Sequence, residues 1–166
     1  GTLSRPGCAH EDTGQAGDSQ AFLVSAQGGE EQAPLVINLH GGGFIKQRTE
    51  NDELFCRKLA LATGCKILDV DYRVAPEHPY PAALEDAVCA YEWLLAQGWF
   101  SEQIIVAGDS AGGGLAMALC HYLSNHGRQL PCGIIAMSPW TDLTASGSLT
   151  IPTTRGIPCL ERPGTA

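Results

Sequence analysis

The sequence predicts an α/β fold in which a mostly parallel β-sheet is flanked by helices, and three observations support this. Short apolar runs typical of buried strands alternate with longer segments in which apolar residues recur at helical spacing. A chain with this alternation forms a parallel sheet through right-handed crossovers. The stretch 104–113, IIVAGDSAGG, joins an apolar run to a helical pattern through a glycine-bounded serine. That serine would lie at the carboxyl end of a strand, where ligands bind in such sheets.

The predicted strands are short apolar runs, and the predicted helices carry their apolar residues on one face. Gly64 and Gly98 follow the first two helical patterns and act as stop signals. Strands are expected at 21–26, 35–39, 66–72, 104–107 and 133–137, and helices at 50–63, 82–97 and 111–126.

The composition limits the classes of function. The chain has 166 residues, 44% of them hydrophobic, which suffices for one core and about one domain. A net charge of -8 disfavours nucleic acid as a partner. No apolar run approaches ~20 residues, so no membrane span is expected. The seven cysteines are scattered without metal-ligand spacing, so we expect no metal, no cofactor and a reduced, cytoplasmic protein.

The motif Gly108-Asp109-Ser110-Ala111-Gly112 is a G-x-S-x-G between a predicted strand and a predicted helix. This is the sequence context of a nucleophile elbow, the sharp turn that exposes a catalytic serine. Side chains at the two glycines would clash where backbone segments pass closely. The pattern therefore predicts Ser110 as a nucleophile.

A run of three glycines in His40-Gly41-Gly42-Gly43-Phe44 follows the predicted strand 35–39. By itself, the run fits an ordinary glycine turn equally well. Together with the serine turn, it favours an oxyanion hole, in which backbone N–H groups bind the negative oxygen of a tetrahedral intermediate. We expect the donors to be Gly41, Gly42 and Ala111.

Four motifs along the chain resemble those of the hormone-sensitive lipase branch of the α/β-hydrolases, a group of carboxylesterases and lipases, and they occur in the same order. HGGGF at 40–44 and GDSAGG at 108–113 are two of them. Between them, DYRVAPEHPYPAA at 71–83 is similar to the family's DYRLAPEHPFPAA, and SPWTD at 138–142 is similar to its SPW-D segment. The resemblance implies a serine hydrolase that acts on a small acyl ester.

The resemblance covers roughly residues 21–148, so we expect the N-terminal part of an α/β-hydrolase domain at 20–148. Residues 1–19 have no hydrophobic period and are expected to form an N-terminal arm. Residues 149–166 contain three prolines and two glycines without a period, and we expect an irregular tail. These features predict a chain truncated at its C-terminus.

The chain has no residue that can inherit the triad acid and histidine, which follow later strands in this family. His40 and Asp109 flank the predicted site, and we expect both to support it structurally. Because a serine hydroxyl is a poor nucleophile without a base, we expect little turnover from the chain alone.

Two alternatives remain open. The missing base is also consistent with a catalytically inactive protein that binds a small molecule on the same scaffold. The unfamiliar tail is consistent with a non-functional truncation whose exposed sheet edge pairs with another copy.

Overall fold

The computed structural model describes residues 2–4, as backbone only, together with 19–26 and 33–143. Its centre is a six-stranded sheet in the order β1-β2-β4-β3-β5-β6. The strands β1, β2 and β4 pair antiparallel, whereas β4, β3, β5 and β6 pair in parallel. The strands are β1 Thr2–Ser4, β2 Gln20–Val24, β3 Leu35–Leu39, β4 Lys66–Asp71, β5 Ile104–Asp109 and β6 Gly133–Met137.

Three helices connect the parallel strands: α1 Glu50–Thr63, α2 Ala82–Ala96 and α3 Ala111–Asn125. The predicted α/β class with a mostly parallel sheet is therefore confirmed. The bounds of β3, β6 and α1 agree with the prediction, and α2 and α3 each end one residue earlier than predicted. The strand β1 was not predicted, because three residues are too few for a hydrophobic period.

The prediction ended β5 two residues too early. The strand continues through Gly108 to Asp109, because Gly108 pairs with Leu39 of β3 and Asp109 pairs with Met137 of β6. A strand predicted from an apolar run ends before the glycine. The observed strand ends at Asp109, the residue before Ser110, because it pairs with a strand on each side.

Local signals fix both ends of α1. The Thr49 backbone N–H and hydroxyl both donate to the Asp52 carboxylate, at 2.8 and 2.6 Å. These two bonds stabilise the start of the helix, where four backbone N–H groups lack intrahelical partners. At the other end Gly64 has φ 72°, and its N–H donates to the Ala60 carbonyl. Glycine adopts this left-handed conformation without a steric penalty.

The core lies on both faces of the sheet, and β3 contributes to both. Leu35, Ile37 and Leu39 pack with α2 and α3, whereas Val36 packs with α1. This alternation follows from the two-residue period of a strand. Because all five residues of β3 are buried, the end of this strand is a rigid support for the loop that follows it.

The strand β6 is exposed on both of its faces. Ile134 is 43% exposed and Ile135 is 49% exposed, although the two side chains point to opposite sides of the sheet. Within the described residues, β6 pairs only with β5. Among the residues that the structure describes, no strand pairs with its outer edge, a position at which backbone N–H and carbonyl groups are available to another strand.

Four cysteines of the described segments are free thiols: Cys56, Cys65, Cys120 and Cys132. Cys89 is disulfide-bonded, which corrects the expectation of fully reduced cysteines at that position. Burial raises the pKa of the Cys56 thiol and of the Cys120 thiol. Both therefore stay protonated near neutral pH. No helix among the described residues is long and apolar enough to cross a membrane.

Candidate active site

Ser110 stands at the sharp turn between β5 and α3, as the motif predicts. Its backbone has φ 50° and ψ −116°, a conformation that is strained for a residue with a side chain. Three hydrogen bonds over-determine the turn. The Ser110 N–H donates to the Met137 carbonyl at 2.9 Å, and the Ser110 carbonyl accepts from Gly114 at 3.1 Å and Trp140 at 2.8 Å.

Both glycines of the motif lie where a side chain cannot fit. A Cβ at Gly108 would overlap the backbone of Gly112 and Gly113. A Cβ at Gly112 would overlap the carbonyl oxygens of Leu39 and His40. The glycines therefore allow the first turn of α3 to lie directly against the end of β3.

The glycine run leaves β3 at the same edge of the sheet. Gly42 and Gly43 have φ 122° and 66°, and Phe44 follows with φ 62°. The Gly42 carbonyl accepts from Ile45 and Lys46, which closes a tight turn. Only glycine adopts a φ as large as that of Gly42 readily, so the composition of the run is explained by its backbone path.

The glycine run and the serine turn are in direct contact. Because Leu39 pairs with Gly108, the residues that follow in each strand leave the sheet side by side. A Cβ at Gly41 would overlap the Asp109 carboxylate, so these two residues touch. In the described part of the chain, the N–H groups of Gly41, Gly42 and Ala111 donate no hydrogen bond. The glycine run therefore lies against the serine turn, and three backbone N–H groups of these two segments have no acceptor among the described residues.

His40 is held behind the glycine run. Its ring stacks on Tyr72 with 4.2 Å between ring centroids, and its Nδ1 donates to the Gly41 carbonyl at 2.8 Å. The Tyr72 hydroxyl donates to the His40 carbonyl at 2.6 Å. Burial raises the pKa of Tyr72, so the hydroxyl keeps its proton for this bond. Nε2 of His40 is buried without a partner among the described residues.

The described residues show no hydrogen-bonded base for Ser110. No hydrogen bond joins Ser110 Oγ to an imidazole within the described residues. His121 bonds to Asn125, and His126 bonds to the Tyr122 carbonyl, both far along α3 from its N-terminus. His78 is exposed in the loop after β4. The same part of the chain contains no cluster of three or more potential metal ligands.

A buried ion pair supports the far end of the loop that carries the glycines. Arg48 binds the Asp69 carboxylate, which is fully buried and also accepts from the Asn38 side chain at 2.9 Å. The Arg48 backbone N–H donates to Asp71 at 3.3 Å. This cluster was not predicted from the sequence. The available signal was the presence of two polar residues, Asn38 and Asp69, inside otherwise apolar strands.

A cavity of about 530 Å³ lies beside the serine turn, between α2 and α3. Phe44, Gly114 and Trp140 belong to its wall, whereas Ser110 does not. Local sequence patterns do not predict this cavity, because the residues that line it come from separate segments of the chain.

The chain was compared with known proteins. Residues 36–162 match a family model described as alpha/beta hydrolase fold. An acetyl-hydrolase of Streptomyces hygroscopicus is 41% identical over 113 residues, which are 68% of this chain and 38% of that protein. The hormone-sensitive lipase of Bos taurus is 39% identical over 126 residues, which are 71% of this chain and 17% of that lipase.

Solved structures agree with this match. The crystal structure of an esterase from the bacterial hormone-sensitive lipase family superimposes with a TM-score of 0.73 at 40% identity. The superposition covers 78% of this chain and 43% of the esterase chain. The chain thus spans less than half the length of each of these relatives.

Proposed function

The chain belongs to the α/β-hydrolase fold family, in its hormone-sensitive lipase-like branch, and on this premise we propose that it carries the nucleophile and oxyanion hole of a serine carboxylic-ester hydrolase. Ser110 is the proposed nucleophile, and the N–H groups of Gly41, Gly42 and Ala111 are the proposed oxyanion donors. The observation that supports this most directly is the backbone contact of Gly112 with the carbonyls of Leu39 and His40.

The proposed reaction has two steps. Ser110 Oγ attacks the ester carbonyl carbon, its proton passes to a base, and the carbonyl oxygen becomes an anion that the three N–H groups bind. Collapse of this intermediate breaks the ester C–O bond, and the base returns its proton to the departing oxygen, so that an alcohol leaves and an acyl-serine remains. Water then attacks the acyl-serine, which releases the carboxylic acid and restores the Ser110 hydroxyl. His40 and Asp109 hold the two loops in contact and do not exchange protons with substrate.

The chain alone is proposed to turn over little ester. A dismantled triad retains only a residual rate of roughly 10³–10⁴ over the uncatalysed reaction, from the oxyanion hole and binding. The base that completes the reaction would have to come from residues other than those described, since their imidazoles do not bond to Ser110.

The test combines a fluorophosphonate probe with p-nitrophenyl butyrate hydrolysis. We expect the probe to form an adduct on Ser110 slowly, hydrolysis to stay near background, and Ser110→Ala to abolish the adduct. A full-length esterase relative serves as the positive control. An adduct on another residue, with Ser110 unmodified, would contradict the proposed nucleophile.

A second candidate function is binding of a small molecule without catalysis. Two features favour it: the Ser110 hydroxyl has no hydrogen bond to the described part of the chain, and a cavity lies next to the serine turn. It predicts saturable binding that is unchanged by Ser110→Ala, together with no Ser110 adduct. The fluorophosphonate experiment therefore separates the two candidates.

We also propose that the chain self-associates through the outer edge of β6. Its exposed apolar side chains and unpaired backbone groups are typical of an edge that recruits another strand. We expect the sedimentation coefficient of the unmodified chain to rise with protein concentration. In Ile135→Lys, we expect it to stay at the value of the monomer. A coefficient independent of concentration in the unmodified chain would exclude this association.

A further inference from the structure

The cavity between α2 and α3 has a wall on which large apolar side chains are exposed. Tyr80, Met117, Trp140 and Leu143 all belong to this wall, and each of them is exposed. With a volume of about 530 Å³, the cavity has room for more than one aliphatic side chain. Large apolar side chains grouped in this way are typical of a surface that another segment or molecule covers. The wall is therefore a candidate docking surface.

The chain itself passes along this wall. Leu143 is the last described residue, and it lines the cavity together with Trp140 and Thr141. The C-terminal segment, residues 144–166, continues from this point. Leu149 is the sixth residue after Leu143, and an extended chain spans about 3.3 Å per residue, so Leu149 can reach about 20 Å from the wall. A tethered segment has a high effective concentration at a site so near, which favours it over a separate molecule.

The sequence of the C-terminal segment suits an apolar groove. Leu149 and Ile151 are apolar, Thr150 lies between them, and Pro152 follows. A residue before proline is restricted to extended backbone, so we expect Ile151 to be extended. In extended backbone, residues two positions apart point to the same side. Leu149 and Ile151 would then form one apolar face, with Thr150 on the opposite side.

The charges of the two surfaces are complementary. The stretch 74–127, which supplies most of the cavity wall, contains six acidic residues and no Lys or Arg. One of the acids, Glu77, is exposed in the loop between β4 and α2 that lines the cavity. The C-terminal segment contains Arg155 and Arg162, and Glu161 is its one acid. Opposite net charges favour the approach of the segment to this surface.

We propose that Leu149 and Ile151 of the C-terminal segment dock in the cavity between α2 and α3 of the same chain. The docked segment covers the exposed wall, including Met117. It leaves Met137 uncovered, because Met137 lies on β6 and does not line the cavity. The inference goes beyond the proposed function and does not depend on it, since it involves no reaction at Ser110.

Oxidation by hydrogen peroxide tests the proposal, because the full chain contains two methionines and one of them is an internal reference. Met117 is 44% exposed on the cavity wall and Met137 is 38% exposed on β6, so without a docked segment they should be oxidised at similar rates. We expect Met117 to be oxidised about tenfold more slowly than Met137, which corresponds to a docking free energy of roughly 1.4 kcal/mol. Mass spectrometry of tryptic peptides measures the two residues separately, because Arg128 lies between them.

Two variants of the C-terminal segment identify the occupant. Ile151→Asp should undock the segment and raise the oxidation rate of Met117 to that of Met137. The matched control is Thr150→Asp, which adds the same charge on the opposite side of the extended segment and should leave Met117 protected. Both changes lie outside the described core.

Three results would overturn the proposal. The first is equal oxidation of the two methionines in the unmodified chain. The second is the same oxidation rate of Met117 in Ile151→Asp and Thr150→Asp. The third is protection of Met117 that increases with protein concentration, because the occupant would then be a second copy of the chain.

Discussion

Replacing Arg48 with alanine is expected to lower the free energy of unfolding by about 3–5 kcal/mol, because it leaves a buried carboxylate without its counter-ion. The Asp69 side chain is fully buried, whereas the Arg48 side chain is 12% exposed. After the substitution, Asp69 keeps only its hydrogen bond from Asn38 among the side-chain bonds described above. Chemical denaturation at neutral pH measures the change.

The chain offers a matched control in Arg57. This residue pairs with Glu53 at 2.5 Å on the outside of α1, and its side chain is 63% exposed. Exposed pairs of this kind contribute little to stability, so Arg57→Ala should have a small effect. Equal losses in the two variants would contradict the claim that burial of Asp69 makes Arg48 essential.

The pKa of Arg48 indicates that its guanidinium is charged in the pair with Asp69. Burial lowers the pKa of its guanidinium, but the hydrogen bond and negative charge of Asp69 outweigh this, and the pKa is raised. Arg48 therefore keeps its charge well above neutral pH. The decrease in the free energy of unfolding caused by Arg48→Ala should consequently be as large at pH 8 as at pH 7.

Replacing Gly112 with alanine is expected to disrupt both stability and the proposed oxyanion hole. The new methyl group would overlap the carbonyl oxygens of Leu39 and His40, which belong to buried backbone and cannot move independently. Overpacking of this kind costs about 1–3 kcal/mol and sometimes more. Separation of the glycine run from the serine turn should also slow fluorophosphonate labelling of Ser110.

Gly133→Ala is the control for this substitution. Gly133 lies at the start of β6, and nothing approaches within 4 Å of the position that its Cβ would occupy. Its backbone is also outside the left-handed region. We expect unchanged or slightly increased stability and unchanged labelling. If Gly112→Ala behaves in the same way as Gly133→Ala, the backbone contact at Gly112 has no role in the site.

The sequence predicted those features that depend on local patterns. The helix α1 has a capping pair at Thr49 and Asp52 and a terminal glycine, all within one segment, and its bounds were correct. The turn at Ser110 was predicted because two glycines and the change of hydrophobic period fall within a few residues. Each of these signals is contained in a few consecutive residues.

Features that depend on strand order could not be predicted in the same way. Asn38 and Asp69 are 31 residues apart, and they meet only because β3 and β4 are neighbours in a register that pairs these two residues. The cavity likewise combines Phe44, Ala83 and Trp140 from three separate segments. Pairing between distant segments is decided by the packing of the whole sheet, which a local period does not encode.

We propose that the N–H groups of Gly41, Gly42 and Ala111 converge on an oxyanion formed at Ser110. The most direct measurement is a ¹⁵N–¹H spectrum of the full chain titrated with phenylboronic acid, which forms a tetrahedral, anionic adduct with a serine hydroxyl. The account predicts that these three amide resonances shift, and that they do not shift in Ser110→Ala. Unchanged resonances at all three positions, while other amides respond in a Ser110-dependent way, would contradict it.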